Sequence, residues 1–401
     1  MRELSRLKSV QAVSIRLNTT SRNAFASKME AIKEGIYWVG SDNPEGRNFH
    51  GISTPRGGSY NSYLIQDEQS VIIDGEDQPF IDRYLKDIKE QNVDYLIVNH
   101  AEPDHTGALN QIIKELGCIV VCTAKGREFL EAMGISGEFK VVEDGDELSI
   151  GSRTLNFVSS PMVHWPETMM TYIKEDSILF SGDLFGTEIS HEALFADEYE
   201  DFSELIRDYF ALIMRPVNAA VKNAIVKAKE LNPSFIAPTH GPVHRDLKII
   251  EHYEKLSNKP EENKVTVFYS SIWQGTEEMA EEIIRGVKET GAEAKSYDIT
   301  KTNFVTLMAE ALTSKSVALG SLTMLGGYHP LFEGLFPLFK MNRQEKTALV
   351  FGTHGWVPAS VPMLNTKAEE LGWNVLGNID FRFGRGDYTK LREAGKKLGG
   401  L

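Results

Sequence analysis

Cysteine is scarce in this 401-residue chain: there are two, Cys118 and Cys122, inside the apolar stretch LGCIVVC. That excludes a disulfide framework, and the lack of any C-x-x-C pair excludes an iron–thiolate or zinc-ribbon module in this sequence. No apolar run approaches the ~20 residues that span a bilayer, so no membrane partner is expected. Positive charge is also in short supply. With 43 Lys and Arg against 57 Asp and Glu, the formal net charge is −14, which argues against a nucleic-acid partner. There is no G-x-x-x-x-G-K-[ST] and no G-x-G-x-x-G after a strand, so neither a nucleotide-hydrolysing P-loop nor a dinucleotide fingerprint is present. What remains, 41% hydrophobic and 25% charged, is an ordinary soluble chain long enough for two or three domains. A reducing, cytoplasmic location is expected.

Residues 1–28 set Arg2, Arg6, Lys8, Arg16, Arg22 and Lys28 against one acid, Glu3, the composition of an organelle transit peptide. Met29 opens MEAIKEGIYWVG as a natural start, so the preferred reading is a disordered extension or a misplaced start. From 29 to 256, short apolar runs alternate with helical patterns. Strands are expected at Ile36–Val39, Ser62–Ile65, Val71–Ile73, Tyr95–Val98, Cys118–Thr123, Leu155–Ser159, Met169–Ile173, Ile178–Ser181 and Phe235–Pro238. Helices are expected at Pro79–Glu90, Thr106–Leu116, Ala124–Met133, Leu247–Leu256 and, as one long stretch, Phe202–Leu231. The charged segment LSNKPEENK lacks apolar periodicity and places a linker at 257–263. Beyond it, 264–401 reads as five strands joined by four helices, a doubly wound parallel sheet.

The densest chemistry is NHAEPDHTG at 99–107, where His100, Glu102, Asp104 and His105 follow the strand pattern DYLIVN. His164 follows LNFVSSPMV, Asp183 follows SILFSG and His240 follows FIAPT, each again at a strand exit. One histidine at a strand end is more often a hydrogen-bonded surface or core residue. Four segments ending in ligand types suggest one site at the C-terminal edge of the sheets. Two carboxylates beside two imidazoles are poor core material, because each needs a partner to offset its desolvation, and a metal pair offers those partners. His244 and His252 read as surface residues, and His191 is left open.

In the second half, SSIWQGT lies between a strand and the helix EEMAEEIIRGV, and offers hydroxyls, one glycine and a helix N-terminus as an anion cradle. GSLTMLGGYHP and FGTHGWVPAS follow the third and fourth strands. Their glycines allow close backbone approach to a flat ring, and Tyr328 and Trp356 offer stacking surfaces.

H-x-[HE]-x-D-H, a distant His, an Asp in G-D and a final T-H-G resemble the metallo-β-lactamase superfamily, which implies an αββα sandwich with a binuclear site. Hydrolytic members carry histidine at the third motif position, where this chain has Glu102. A carboxylate there adds hard oxygen and negative charge, favouring iron over zinc. The three C-terminal loops resemble the FMN site of flavodoxin. Together the halves resemble the flavodiiron proteins over residues 29–401. That resemblance implies two Fe per subunit, with His100, Glu102 and His164 on one iron, Asp104, His105 and His240 on the other, and Asp183 bridging. It implies FMN held by Ser270, Ser271, Ile272, Trp273, Gln274, Gly275 and Thr276, by Ser321, Leu322, Thr323, Met324, Gly326 and Gly327, and by Thr353, His354, Gly355 and Trp356. His50 and Tyr209 match catalytic-pocket positions of relatives. The implied reaction is reduction of O₂ to water or of NO to N₂O. The implied partners are an external electron donor such as rubredoxin or reduced deazaflavin, and a second copy in a head-to-tail homodimer or dimer of dimers. The competing readings are a zinc hydrolase with an appended flavodoxin domain, and a pure electron carrier.

Overall fold

The computed structural model describes residues 29–45, 48–49, 52–53, 56–200, 202–260 and 263–401. His50 and the segment 1–28 lie outside them. Two sheets face one another in the first half. One has seven strands in the order Glu30–Lys33, Ile36–Trp38, Tyr63–Ile65, Ser70–Ile73, Val93–Ile97, Ile119–Thr123 and Phe139–Val142. The other has five: Glu147–Ser149, Thr154–Ser159, Met169–Ile173, Ile178–Gly182 and Phe235–Pro238.

Residue alternation decides what each sheet face meets. Ile36, Trp38, Tyr63, Ile65, Ile73, Ile97 and Val121 point between the sheets and pack against Phe157, Met169, Ile173, Ile178 and Phe180 of the opposite one. Their neighbours Leu64, Ile72, Leu96, Val120 and Cys122 point outward onto Tyr84, Ile88, Leu109, Ile112 and Leu130 of the covering helices. Because both faces are covered, these strands read as continuous apolar runs rather than as alternating ones. Each such side chain contributes about 1.5–3 kcal/mol on burial. The outer layer of the second sheet is the helical segment from Ser203 to Leu231 with the helix Lys248–Ser257. The result is the expected αββα sandwich.

The C-terminal half is a five-stranded parallel sheet ordered Glu293–Asp298, Lys264–Ser270, Ser316–Leu322, Thr347–His354, Asn374–Arg382, the flavodoxin-like arrangement. A helix at Thr389–Gly399, which the periodicity does not place, packs on Gly275–Lys288. The contact is closed by glycines: a Cβ on Gly286 would stand 2.1 Å from the Arg392 carbonyl oxygen, and one on Gly395 2.3 Å from that of Ile283. In the sequence those glycines look like helix breakers.

Other departures have local causes. The expected helix 106–116 is two pieces, Pro103–Thr106 and Leu109–Leu116. The long stretch 202–231 is interrupted by a π turn at Phe210–Met214 and a 3₁₀ turn at Arg215–Val217, where Pro216 has no N–H to donate. The strands Glu30–Lys33, Phe139–Val142 and Glu147–Ser149, three or four residues long, are the edge strands of their sheets and too short to show a period.

The two halves share a core. Met308, Ala309 and Leu312 of the helix Phe304–Thr313 belong to the same buried cluster as Ile206, Phe210 and Ile213. Across this contact the buried Glu310 carboxylate pairs with Arg207 at 2.6 Å and with Lys264 at 2.6 Å. Burial would raise its pKa, but Arg207 and Lys264 outweigh that and hold it below the usual range. Glu310→Ala removes the carboxylate from buried Lys264 and leaves Arg207 with Asp208 alone, and is expected to cost about 3–5 kcal/mol, read as a lower denaturant midpoint. In wild type this contribution is present above the ordinary Glu pKa and is lost as pH falls through the depressed one. An unchanged midpoint would show that the pairing carries no stability.

Candidate functional site

Four strand exits converge at one rim of the sandwich. Val93–Ile97 leads to His100, Thr154–Ser159 leads through a turn to His164, Ile178–Gly182 ends at Asp183, and Phe235–Pro238 leads to His240. The exits are tied to each other: Met169 N–H donates to Asn99 O at 3.0 Å, Thr239 N–H to Gly182 O at 3.0 Å and Thr187 N–H to His240 O at 3.1 Å.

The side chains form two groups that could each hold a metal ion. His100, Glu102, His164 and Asp183 make one; Asp104, His105 and His240 make the other. Glu102 Oε2 lies 3.2 Å from His100 Nε2 and 3.1 Å from His164 Nε2. Asp104 lies 3.4 Å from His105 Nε2 and 3.3 Å from His240 Nε2. Asp183 stands between them. Its Oδ2 is 3.2 Å from His164 and 3.8 Å from His100, and its Oδ1 is 3.2 Å from His105 and 3.7 Å from His240.

Electrostatics drive Glu102, Asp104, Asp183, His100, His164 and His240 toward their charged forms. Burial would raise Asp183, but His100, His105 and His164 outweigh it and hold it well below the usual carboxylate range. Glu102 is likewise held low by His100 and His164 against its burial. Burial opposes charging His164 and His240, yet their carboxylate neighbours carry them up to about 9 and about 10. Both Asp104 oxygens, both His105 ring nitrogens and Asp183 Oδ2 are buried without a hydrogen bond. Three carboxylates and four imidazoles with orphaned atoms aimed at common points are a set that a pair of cations satisfies.

A second layer aims the rings. His100 Nδ1 lies 2.8 Å from Glu167 Oε1, which also accepts from Ala101 N–H at 2.9 Å. His240 Nδ1 donates to Ser59 O at 2.7 Å. Both contacts leave Nε2 facing the cluster, as metal-binding histidines require. Neither Glu167 nor Ser59 carries a sequence signal, because both come from segments remote from the motifs they support. Tyr209, at the last turn before the π segment, donates its hydroxyl to the Asp183 carbonyl oxygen at 3.3 Å, and its ring centroid lies 6.1 Å from that of His240. His244 is not a surface residue. It is buried, its backbone exchanges hydrogen bonds with Ile236, and burial holds its imidazole down to about 4.

At the C-terminal edge of the parallel sheet lies a cleft of about 420 Å³. Of the expected residues, Ser271, Ile272, Trp273, Gly275, Thr276, Leu322, Thr323, Thr353, His354, Gly355 and Trp356 line it. Ser270 and Ser321 lie buried beneath, with their hydroxyls 3.2 Å apart. Gln274 takes a left-handed φ of +67° at the cap of the helix Gly275–Lys288, while Met324 and Gly327 close a turn beside the cleft; Gly326 sits in that turn at φ +81°. A fourth loop, in the segment FRFGRGD that leaves the fifth strand, adds Phe383 and Gly384. Trp273 and Trp356 are 88% and 87% exposed at its mouth, unusual for large aromatics without something to cover them. The helix N-terminus, the Thr276 and Thr353 hydroxyls 3.1 Å apart and the aromatic walls suit a phosphate joined to a flat ring.

A sandwich with a seven-residue cluster that could hold metal, joined to a parallel sheet with this cleft, defines a metallo-β-lactamase-like domain coupled to a flavodoxin-like one. Comparison with known proteins agrees: residues 59–241 match the ODP family beta lactamase model and residues 267–397 the flavodoxin model. A protein of Methanocaldococcus jannaschii is 34% identical over 381 residues, covering 92% of this chain and 97% of its own length. The anaerobic nitric oxide reductase flavorubredoxin of Escherichia coli O139:H28 is 34% identical over 389 residues, 92% of this chain and 81% of its own. The flavodiiron protein from Giardia intestinalis superposes with a TM-score of 0.89 at 29% identity, covering 94% of this chain and 97% of that one. Rubredoxin oxygen:oxidoreductase from Desulfovibrio gigas does so at 0.85 and 27%, covering 93% and 98%. The chain belongs to the flavodiiron protein family and is an oxidoreductase.

The raised imidazoles make a prediction about metal loading. His164 and His240 of the metal-free protein hold protons at neutral pH, and a ligating imidazole must be neutral, so binding displaces protons. Calorimetric titration with Fe(II) in buffers of different ionisation enthalpy should show proton release, and affinity should fall as pH is lowered. Buffer-independent heats would contradict this assignment.

Proposed function

We propose that this chain reduces a diatomic gas, O₂ to water or NO to N₂O, at a non-haem diiron centre supplied with electrons by FMN. The observation that carries this reading is Glu102. Its carboxylate occupies the point between His100 and His164, where it adds hard oxygen to a site already rich in carboxylate, a set suited to iron rather than to zinc.

The proposed ligands are His100, Glu102 and His164 for one iron and Asp104, His105 and His240 for the other, with one Asp183 oxygen for each. When bound, FMN accepts electrons in pairs or singly and passes them one at a time, and the iron pair takes up the gas. The protein's part is to hold the ligand geometry, through Glu167 and Ser59 on the far sides of two rings. The cleft at the C-terminal edge of the parallel sheet is the proposed FMN site, with phosphate at Ser271–Thr276 and the ring between Trp273 and Trp356. Family resemblance further supports a head-to-tail dimer, the flavin of one subunit serving the centre of the other, and an external donor such as rubredoxin. No helix among the described residues is long and apolar enough to cross a membrane.

A hydrolase reading has less support: relatives that align over nearly the whole chain are named as reductases. Metal and flavin analysis separates the readings. Iron in both ligand groups together with FMN supports the reductase, zinc the hydrolase, and FMN alone a carrier. Glu102→His is expected to lower iron retention and abolish gas consumption while FMN stays bound. Unchanged turnover in that variant would remove the role given to the glutamate. Consumption of O₂ and NO measured side by side with a chemically reduced donor decides between the two gases.

A further inference from the structure

The imidazoles of the cluster are not supported alike. His100 Nδ1 lies 2.8 Å from a carboxylate, Glu167 Oε1, whereas His240 Nδ1 lies 2.7 Å from a neutral carbonyl, Ser59 O. Both ring nitrogens of His105 are buried without a hydrogen bond. Among the described residues, Glu167 is the one carboxylate outside the seven proposed ligands that comes within 4.0 Å of their imidazoles. Asp74 and Glu188 act on those rings only from further away. Glu167 is itself buried, and its Oε2 has no hydrogen bond. No lysine or arginine among the described residues pairs with it; Lys125, on the wall of the same crevice, is bound to Glu128 at 2.7 Å. Its backbone is fixed by Thr123, whose hydroxyl donates to Glu167 O at 2.9 Å and accepts from Gly126 N–H at the cap of the helix Ala124–Ala132.

Counted by ligands alone, the two groups match: each has two imidazoles, one carboxylate of its own and one oxygen of Asp183. Glu167 breaks that symmetry. With Nε2 turned to the metal, His100 carries its proton on Nδ1 and donates it to Glu167, which makes the ring a stronger donor to the ion. A buried carboxylate with so few partners needs a positive charge to offset its desolvation, and a cation on the far nitrogen of His100 supplies it. We propose that Glu167 makes the two metal positions unequal: the group of His100, Glu102 and His164 takes its ion first and holds it more tightly than the group of Asp104, His105 and His240. The weaker position then decides when the centre is complete, so gas reduction follows iron supply through its second ion. This assignment rests on the reading of the seven residues as a metal pair.

The test uses the full chain with FMN bound and iron removed by chelation, titrated with Fe(II) in the absence of oxygen. Wild type should bind two ions in two steps, the first tighter than the second by about 10-fold or more. One equivalent of Fe(II) should give a single Mössbauer doublet. Glu167→Gln keeps an oxygen for Ala101 N–H and for the His100 ring but removes the charge. It should weaken the first step about 10–100-fold, leave the second unchanged and spread one equivalent over two doublets. Glu167→Asp should recover part of the difference, and FMN content should not change in either variant. If Glu167 only orients the ring, Glu167→Gln will bind Fe(II) like wild type, and the proposal is overturned. A loss that falls on the weaker step, or on both alike, overturns it too. Two equal steps in wild type overturn it without any variant. If wild type takes up no Fe(II) at all, the metal-pair reading itself fails, and this assignment with it.

Discussion

The arrangement turns on one carboxylate. Asp183 sits at the end of a central strand with one oxygen toward each group of ligands. Thr239 donates its hydroxyl to Oδ1 at 2.6 Å, and the Tyr209 hydroxyl is bonded to its backbone oxygen. Without it, the two groups would be separate clusters, each with an uncompensated set of buried imidazoles or acids. With it, they share a charge, and two cations can be held close together. Cations entering the site would offset the cost of burying so many ionisable groups.

The sandwich makes that carboxylate's position possible. Ile178–Gly182 and Phe235–Pro238 are parallel neighbours, so Asp183 and His240 emerge side by side. Val93–Ile97 lies in the facing sheet and delivers the dense motif from across the gap. The same rule operates again in the second half, where the loops at the C-terminal ends of the strands line the cleft. The halves are joined as one packed body by a shared apolar cluster and by Glu310 between Arg207 and Lys264. The cleft nonetheless opens to the outside between two exposed tryptophans. A face of that kind is suited to being covered by another protein surface.

Much of this was legible in the residues themselves, for physical reasons that can be named. Strands buried on both faces had to be continuous apolar runs, so Ile178–Gly182 and Ile119–Thr123 announced themselves. Ligand types dense enough to be useless as core, as in His100–His105, pointed to metal. Glu102 is the residue on which the expectation of iron rather than zinc rests. Regular βαβ alternation was enough to read the second sheet. The helix Thr389–Gly399 was hidden because its glycines serve a close helix contact that no local pattern reveals. The surface reading of His244 failed because the chain folds back to bridge Ile236 of the preceding strand and its ring meets Phe202 from the covering helical layer.

By itself, the sequence determined which chemistry was possible: the ligand types, their place at strand ends, and the absence of cysteine or nucleotide motifs that would have supplied another. The resemblance implied how those residues divide; the distances that set them in two groups with one Asp183 oxygen toward each, and the contacts by which Glu167 and Ser59 turn two rings inward, belong to the tertiary structure. The physical reason is that residue type and local period are written along the chain. Distances across two facing sheets are set by core packing, which no single segment carries.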